Sequence, residues 1–388
     1  MLFWSPRLKT FRRPILPLVL LLSMHEAANA QEELELPAIV VEGKAENLLG
    51  IAEGASQGQA SAEEIAARPY LRRGEILETV PGLVVTQHTG AGKANQFFLR
   101  GFNLDHGTDF ATSIGRMPMN MRSHAHGQGY TDLNGLIPEL VERMDYVKGT
   151  YTARNGDLST AGSADFKLWD ELPQNLISLE AGAYDYYRAL LAGSLPLDDS
   201  AEISEPTAGH FLTYALEYNH YDGPWVRPED FNRYNGLLRY FTGDTDNFLS
   251  LTAMSYYGEW NSSDQVPRRA VNRGLIDRFG TLDTTTGGDS SRHSLQLDWQ
   301  QREGDVTTRF TAYGFRYDLD LFSNFTYFLD RPESGDQFEQ TERRWVYGRE
   351  LTREWAGREL FGRETVFAAR VQTRHAAPGT GGLVHLLA

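Results

Sequence analysis

From Asn175 onward the sequence keeps returning to one pattern, in which apolar or aromatic residues occupy every second position and polar turns break the runs. In Leu212-Thr213-Tyr214-Ala215-Leu216-Glu217-Tyr218-Asn219 the large apolar side chains share one face, and small or polar ones share the other. Ser294-Leu295-Gln296-Leu297-Asp298-Trp299-Gln300 repeats the scheme, and the stretches 177–181, 247–257 and 309–317 follow it. Successive side chains of a strand point to opposite faces, so this period predicts antiparallel strands with one apolar face. Turn signals such as Leu197-Asp198-Asp199-Ser200 and Thr242-Gly243-Asp244 separate them. A soluble sandwich alternates too, but two asymmetries favour a membrane barrel. Long polar connections such as Trp260 to Ser291 alternate with short turns, and Tyr256, Tyr257 and Trp260 gather near a strand end.

Composition agrees. Aromatic residues make up 12 % of the 388 residues, with 18 Tyr and 20 Phe, while only 41 % are hydrophobic. The mean hydropathy is −0.43. A transmembrane barrel shows lipid only every second residue and carries aromatic girdles, which produces this balance. No apolar run approaches the roughly 18 to 20 residues of a spanning helix, so a helical membrane protein is excluded.

The first thirty residues read as an export signal: Arg7, Lys9, Arg12 and Arg13, an apolar run from Ile15 to Leu22, and Ala28-Asn29-Ala30 as the cleavage site. Removing its four basic residues and one acid turns the formal charge of −15 into about −18. Nucleic-acid binding would want the opposite sign. The absence of cysteine removes disulfides, thiolate metal sites and cysteine nucleophiles together.

Residues 31–60 contain a short β-prone run, Leu36-Pro37-Ala38-Ile39-Val40-Val41, and then a Gly/Ala/Ser/Gln-rich stretch that reads as a flexible tether. An extended apolar peptide on a tether suits addition to a partner's sheet edge, although the same run also reads as a frayed terminus. Residues 61–170 form a mixed α+β domain. It opens with the capping-box-like Ser61-Ala62-Glu63-Glu64, and a second helix is expected over 72–79, ending at Pro81-Gly82. Short strands are expected at 83–86, 96–100 and 142–148.

Three segments of this domain resemble the plug of the TonB-dependent outer-membrane receptors. They are Leu77-Glu78-Thr79-Val80-Pro81-Gly82-Leu83-Val84-Val85, then Phe98-Leu99-Arg100-Gly101-Phe102, then Val141-Glu142-Arg143-Met144-Asp145-Tyr146-Val147-Lys148-Gly149. Pro81, Gly82, Arg100, Gly101, Lys148 and Gly149 are the plug positions this resemblance marks. It implies an antiparallel barrel of about 22 strands when complete, closed by a small α+β plug, in the outer membrane of a Gram-negative bacterium. It also implies energy-coupled import of a scarce ligand, such as a siderophore or other metal chelate. A TonB-type energy-transducing complex of the inner membrane would be the partner and Leu36 to Val41 the coupling box. Outer-membrane lipid and a small ligand are the other partners, with no cofactor. Two departures stand out: Ile114-Gly115-Arg116-Met117-Pro118 replaces the family's usual Asp-Gly turn, and Gly162-Ser163-Ala164-Asp165-Phe166 replaces its usual closing run.

Chemistry for the cargo clusters in the plug, which holds His88, His106, His124 and His126 among the ten histidines. Met117, Met119 and Met121 alternate just before the last pair. Imidazole and thioether suit copper, and imidazole suits zinc or nickel, so His124, His126 and these methionines are candidate metal ligands and a copper or zinc receptor is an alternative reading. The spacing of His124 and His126 puts both rings on one side of an extended strand. Packing of the methionines in the plug core is the plainer reading. Arg122, His124, His126, Gln128 and Tyr130 equally suit a carboxylate, a phosphate or a metal chelate.

Enzyme signatures are missing. Gly90-Ala91-Gly92-Lys93 has Gln87 where a phosphate loop needs its first Gly and Ala94 where it needs Ser or Thr. Asn103, Asp105 and Asp109 lack the twelve-residue calcium pattern, and no nucleophile with a base can be assigned. Twenty-two strands of roughly ten residues need about 220 residues before any loop, so residues 171–388 are expected to supply only the N-terminal part of the barrel. Ala376-Ala377-Pro378-Gly379-Thr380-Gly381-Gly382 also interrupts the strand pattern. A truncated or frame-disrupted fragment is therefore expected, and a non-functional truncated receptor is the remaining alternative.

Overall fold

The computed structural model describes residues 51–151, 153–197 and 209–385. The expected export signal, the coupling box Leu36–Val41 and the start of the tether lie outside the described residues. No described helix is long and apolar enough to cross a membrane.

The mixed domain begins earlier than composition suggested. Residues 51–60, assigned above to the tether, form β1 (Ile51–Gly54) and most of β2 (Gln57–Ser61). β2 pairs with β8 (Val141–Val147) from Gln57↔Val147 to Ser61↔Arg143. Its small, polar side chains carry no strand signal; backbone pairing places it, and Ala60 is fully buried. Ser61 then caps α1 (Ala62–Ala66) by accepting from the Glu64 N–H at 3.2 Å. The second expected helix is a 3₁₀ segment, Arg73–Thr79, rather than an α-helix.

β3 (Leu83–Thr86), β4 (Gln96–Leu99) and β5 (Phe102–Asn103) form a small sheet. β6 (Phe110–Ile114), β7 (Met117–Pro118) and β9 (Gly162–Leu168) complete a six-stranded one, ordered β1-β2-β8-β9-β6-β7, with β6 and β9 parallel. Its core joins Ile65, Ile76, Leu77, Phe97, Phe110 and Phe166.

Nine antiparallel strands follow in sequence order. They are β10 (Leu176–Gly182), β11 (Tyr186–Pro196), β12 (Gly209–Tyr221), β13 (Phe231–Gly243), β14 (Phe248–Asn261), β15 (Gly287–Glu303), β16 (Val306–Ser323), β17 (Phe338–Leu360) and β18 (Arg363–His385). The sheet runs from β10 to β18 without closing. A short helix, α2 (Arg268–Asn272), lies in the connection after β14. The stretch 376–382, expected to break the pattern, lies inside β18, with Arg344 opposite Pro378 and Thr341 opposite Gly382. β18 is an edge strand here, and an edge tolerates a residue that cannot donate a ladder hydrogen bond.

The wall is inside-out relative to a soluble protein. Leu216 leaves 62 % of its surface open, while the adjacent Glu217 keeps only 4 %. Along β12 and β15 apolar side chains face outward, as lipid requires, and polar ones face the mixed domain on the concave side, whereas β16 turns Phe315, Tyr317, Leu319 and Leu321 inward.

Glu217 anchors that domain. It accepts from Arg73 of the 3₁₀ segment, from Arg188 Nε at 2.6 Å and from Asn235 Nδ2 at 2.7 Å. Arg188 also makes a two-pronged contact to Glu139 of the mixed domain, at 2.7 and 2.8 Å. Each buried charge thus has an opposite partner, which is the condition for keeping it out of water.

Candidate functional site

Among the described connections, 222–230, 262–286 and 324–337 at one end of the sheet are long, with 183–185 short at that same end, and 244–247, 304–305 and 361–362 at the other end are short. In outer-membrane barrels the long connections face the cell exterior. Residues 88–93 of the mixed domain are stitched to that end. Thr89 Oγ1 lies 2.7 Å from Ser262 Oγ and donates to Asp264 at 3.0 Å, and Gln265 Nε2 donates to the His88 carbonyl at 3.2 Å. Gly90 and Gly92 are glycines because the Trp260 side chain lies flush on the backbone; a Cβ on Gly92 would enter its ring.

This packing drives Lys93 inward, where it is 1 % exposed and ringed by histidines. Its Nζ lies 3.2 Å from His88 Nε2 and 3.5 Å from His126 Nε2. His126 Nε2 in turn lies 3.0 Å from His106 Nε2. Hydrogen bonds assign the tautomers. His106 Nδ1 faces the carbonyls of Ala94 and Asn95 at 2.9 and 3.1 Å, so it carries the proton. His126 Nδ1 faces Gln340 Oε1 at 2.7 Å, and Gln340 Nε2 donates to the Ala125 carbonyl at 2.9 Å, which fixes that amide and puts the proton on Nδ1. Both Nε2 atoms are therefore unprotonated acceptors.

Burial pushes His88 down to about 4, with the Lys93 charge adding to it, and the same two causes bring His106 to about 4. His126 falls to about 2, again first through burial. Burial also lowers Lys93 to about 8, so at neutral pH a single ammonium sits among neutral imidazoles.

Residues 53–163 match the family model of the TonB-dependent Receptor Plug Domain. The chain carries a TonB-dependent receptor plug. The nine-stranded wall agrees with this assignment. The chain superposes on the ferric citrate transporter FecA with a TM-score of 0.63 at 15 % identity, covering 86 % of this chain and 51 % of that one. For the ferric yersiniabactin uptake receptor FyuA of Yersinia pestis the values are 0.62, 14 %, 83 % and 48 %. For the ferripyoverdine receptor of Pseudomonas aeruginosa they are 0.59, 13 %, 85 % and 44 %. The chain thus spans about half the length of these structures, and the likeness is one of fold. TonB-dependent receptors are a transport family rather than an enzyme class.

The three plug segments that carry the resemblance meet at one place. Arg100 donates to the Lys148 carbonyl at 3.2 Å and to the Ala55 carbonyl at 3.4 Å, and Lys148 Nζ donates to the Pro81 carbonyl at 3.5 Å. Arg100 and Gly101 both have positive φ, 50° and 82°, which turns β4 tightly into β5. Gly82 and Gly149 also lie at positive φ, 86° and 133°.

The expected binding residues divide. Arg122 turns away to pair with Asp157, and Gln128 is exposed. Tyr130 is fully buried and its hydroxyl accepts from the Ala94 N–H at 2.9 Å, so it holds the site from behind. The expectation that His124 and His126 point the same way from a strand does not hold, because 122–128 is a bent loop closed by a Met121↔Tyr130 bridge. His124 stacks on Tyr130 at 4.0 Å and 6°, and its Nδ1 accepts from the His126 N–H at 3.1 Å. Nor do the methionines form a ligand row: Met119 packs in the plug core, and Met117 and Met121 pack in a second apolar cluster with Tyr130, Trp260 and Phe315. Lys93 and the convergence of His88, His106 and His126 were not anticipated. The Gly-Ala-Gly-Lys run, set aside above as a failed phosphate loop, was the available signal.

Two clefts open beside this cluster. One, of about 200 Å³, is lined by His88, Trp225, Asp264, Gln265 and Arg278. The other, of about 220 Å³, lies between Arg72, Gln87, Tyr221, Trp225 and Glu229. Both fall below the roughly 300 Å³ at which small-molecule pockets begin, so each suits part of a ligand.

Proposed function

We propose that this chain is the plug and leading barrel strands of a receptor that imports a scarce ligand, such as a ferric or other metal chelate, across the outer membrane of a Gram-negative bacterium. The observation that carries this reading is a plug domain seated against the polar face of an inside-out strand wall, with a histidine-rich apex at the long-loop end. Similar structures include a ferric citrate transporter and a ferric yersiniabactin uptake receptor. In this reading the ligand docks at the apex, and a TonB-type energy-transducing complex pulls on Leu36–Val41 to free a path along the wall.

The test is deletion of residues 36–41 in the full-length receptor. Cells are offered radiolabelled ferric citrate, catecholate and hydroxamate chelates. Energy-coupled import predicts that the chelate bound by the intact receptor still binds but no longer accumulates inside. Unchanged accumulation would point to a passive pore.

A further inference from the structure

We propose that His106 and His126 form a two-imidazole site for a divalent transition-metal ion, with Asp105 beside it. Three observations on the plug carry the proposal.

First, two neutral imidazoles turn unprotonated Nε2 lone pairs toward one another at 3.0 Å, a contact that repels unless a cation lies beside both, and Lys93 reaches only that of His126. The ring centroids are 4.4 Å apart, farther than the nitrogens, so both rings project into the shared gap. Metal–imidazole bonds are about 2.0–2.1 Å long, so one ion bonded to both nitrogens would subtend about 94° at this separation. That angle suits neighbouring positions in a tetragonal or octahedral shell and is compressed for a tetrahedral one, which favours copper(II) or nickel(II) over zinc.

Second, each imidazole already has the support that metal-binding histidines need. Its other nitrogen donates to a carbonyl-type oxygen: the Ala94 and Asn95 carbonyls for His106, and the Gln340 amide for His126. Such partners fix the tautomer and orient the ring toward the ion. His124 fails this criterion: its Nδ1 is used as an acceptor, which leaves the proton on a buried Nε2 without a partner.

Third, an anionic oxygen is at hand, since Asp105 Oδ1 lies 3.7 Å from His106 Nε2. The Lys93 ammonium, 3.5 Å from His126 Nε2, is the built-in competitor. It already serves as a cation for one of the lone pairs, and an entering ion displaces it toward His88. The site belongs to the plug and the Gln340 wall contact, so it stands whether or not the receptor imports its ligand.

The test uses copper(II) alone as probe, titrated into the detergent-solubilised full chain by calorimetry and paramagnetic resonance. One copper per chain with coupling to two imidazole nitrogens is expected. His126→Gln should abolish the two-nitrogen signal, and Gln340→Ala should weaken binding by about 10- to 100-fold. Lys93→Met should tighten binding by about tenfold or more, because it removes a like charge a few ångströms away. A merely structural histidine cluster would be destabilised by that change and gain no affinity. His220→Ala disrupts the separate His220–Asp222–Asp230 group and should leave the signal intact. The proposal falls if His126→Gln binds copper as wild type does, if Lys93→Met binds no tighter, or if the signal disappears with His220→Ala. Thermal melts establish that each variant is folded before it is scored.

Discussion

Along β11 to β13 the plug meets the barrel wall through a buried charge cluster set beside Leu190, Ala192, Ala215 and Leu237, while along β14 and β16 it meets the wall chiefly through rings. The first seam centres on Glu217 and its arginines. The second packs Met117, Met121 and Tyr130 of the plug against Trp260, Phe315, Tyr317, Leu319 and Val346 of the wall. A charged seam gains little net energy from burial, since desolvation offsets attraction, but it is unforgiving once a partner is missing. A ring seam gains from every square ångström removed from water and is unforgiving of added atoms instead. The plug is therefore registered by one seam and wedged by the other.

Three substitutions sharpen or break this contrast, each read by denaturant unfolding of the solubilised protein. Glu217→Gln leaves Arg73 and Arg233 buried without their carboxylate, while Arg188 keeps Glu139 and Glu180, and should cost about 3–5 kcal/mol. A loss below about 1 kcal/mol would mean that water already reaches the charged seam. Gly92→Ala forces a methyl into the Trp260 contact and should cost about 1–3 kcal/mol through overpacking. A neutral result would show that the ring seam has slack. Arg122→Ala removes an exposed pair with Asp157 that belongs to neither seam, and no more than about 1 kcal/mol should be lost.

The contrast also explains which strands were legible in the sequence. β12 and β15 stood out because their inward faces are polar or small, giving clean alternation against outward Leu, Tyr and Trp. β13 was missed because its inward face mixes Phe231, Arg233, Asn235 and Leu237. That face meets a folded plug rather than a water-filled lumen, so it needs no single polarity. β16 was read only as far as Tyr317: Asp318-Leu319-Asp320-Leu321 keeps the period of two, but its apolar side chains turn inward to the plug and its acids outward. β2 reads as tether in the sequence because its small, polar side chains carry no apolar alternation, and pairing with β8 places it. At the apex, the four plug histidines were visible as a local excess. Their partnership was not, because His88 and His126 lie far apart in sequence and are joined only through Lys93 and His106.

The inside-out wall has a consequence for how this gene tolerates insertions. Because lipid and plug are read by alternate residues, adding one residue in mid-strand exchanges the two faces for everything up to the next turn. Glu217 would then face hydrocarbon and Leu216 the arginines. An insertion of two residues keeps the faces and shifts only the register along the strand. Length changes within these strands should therefore be tolerated by parity rather than by size, whereas the long outer connections can absorb either.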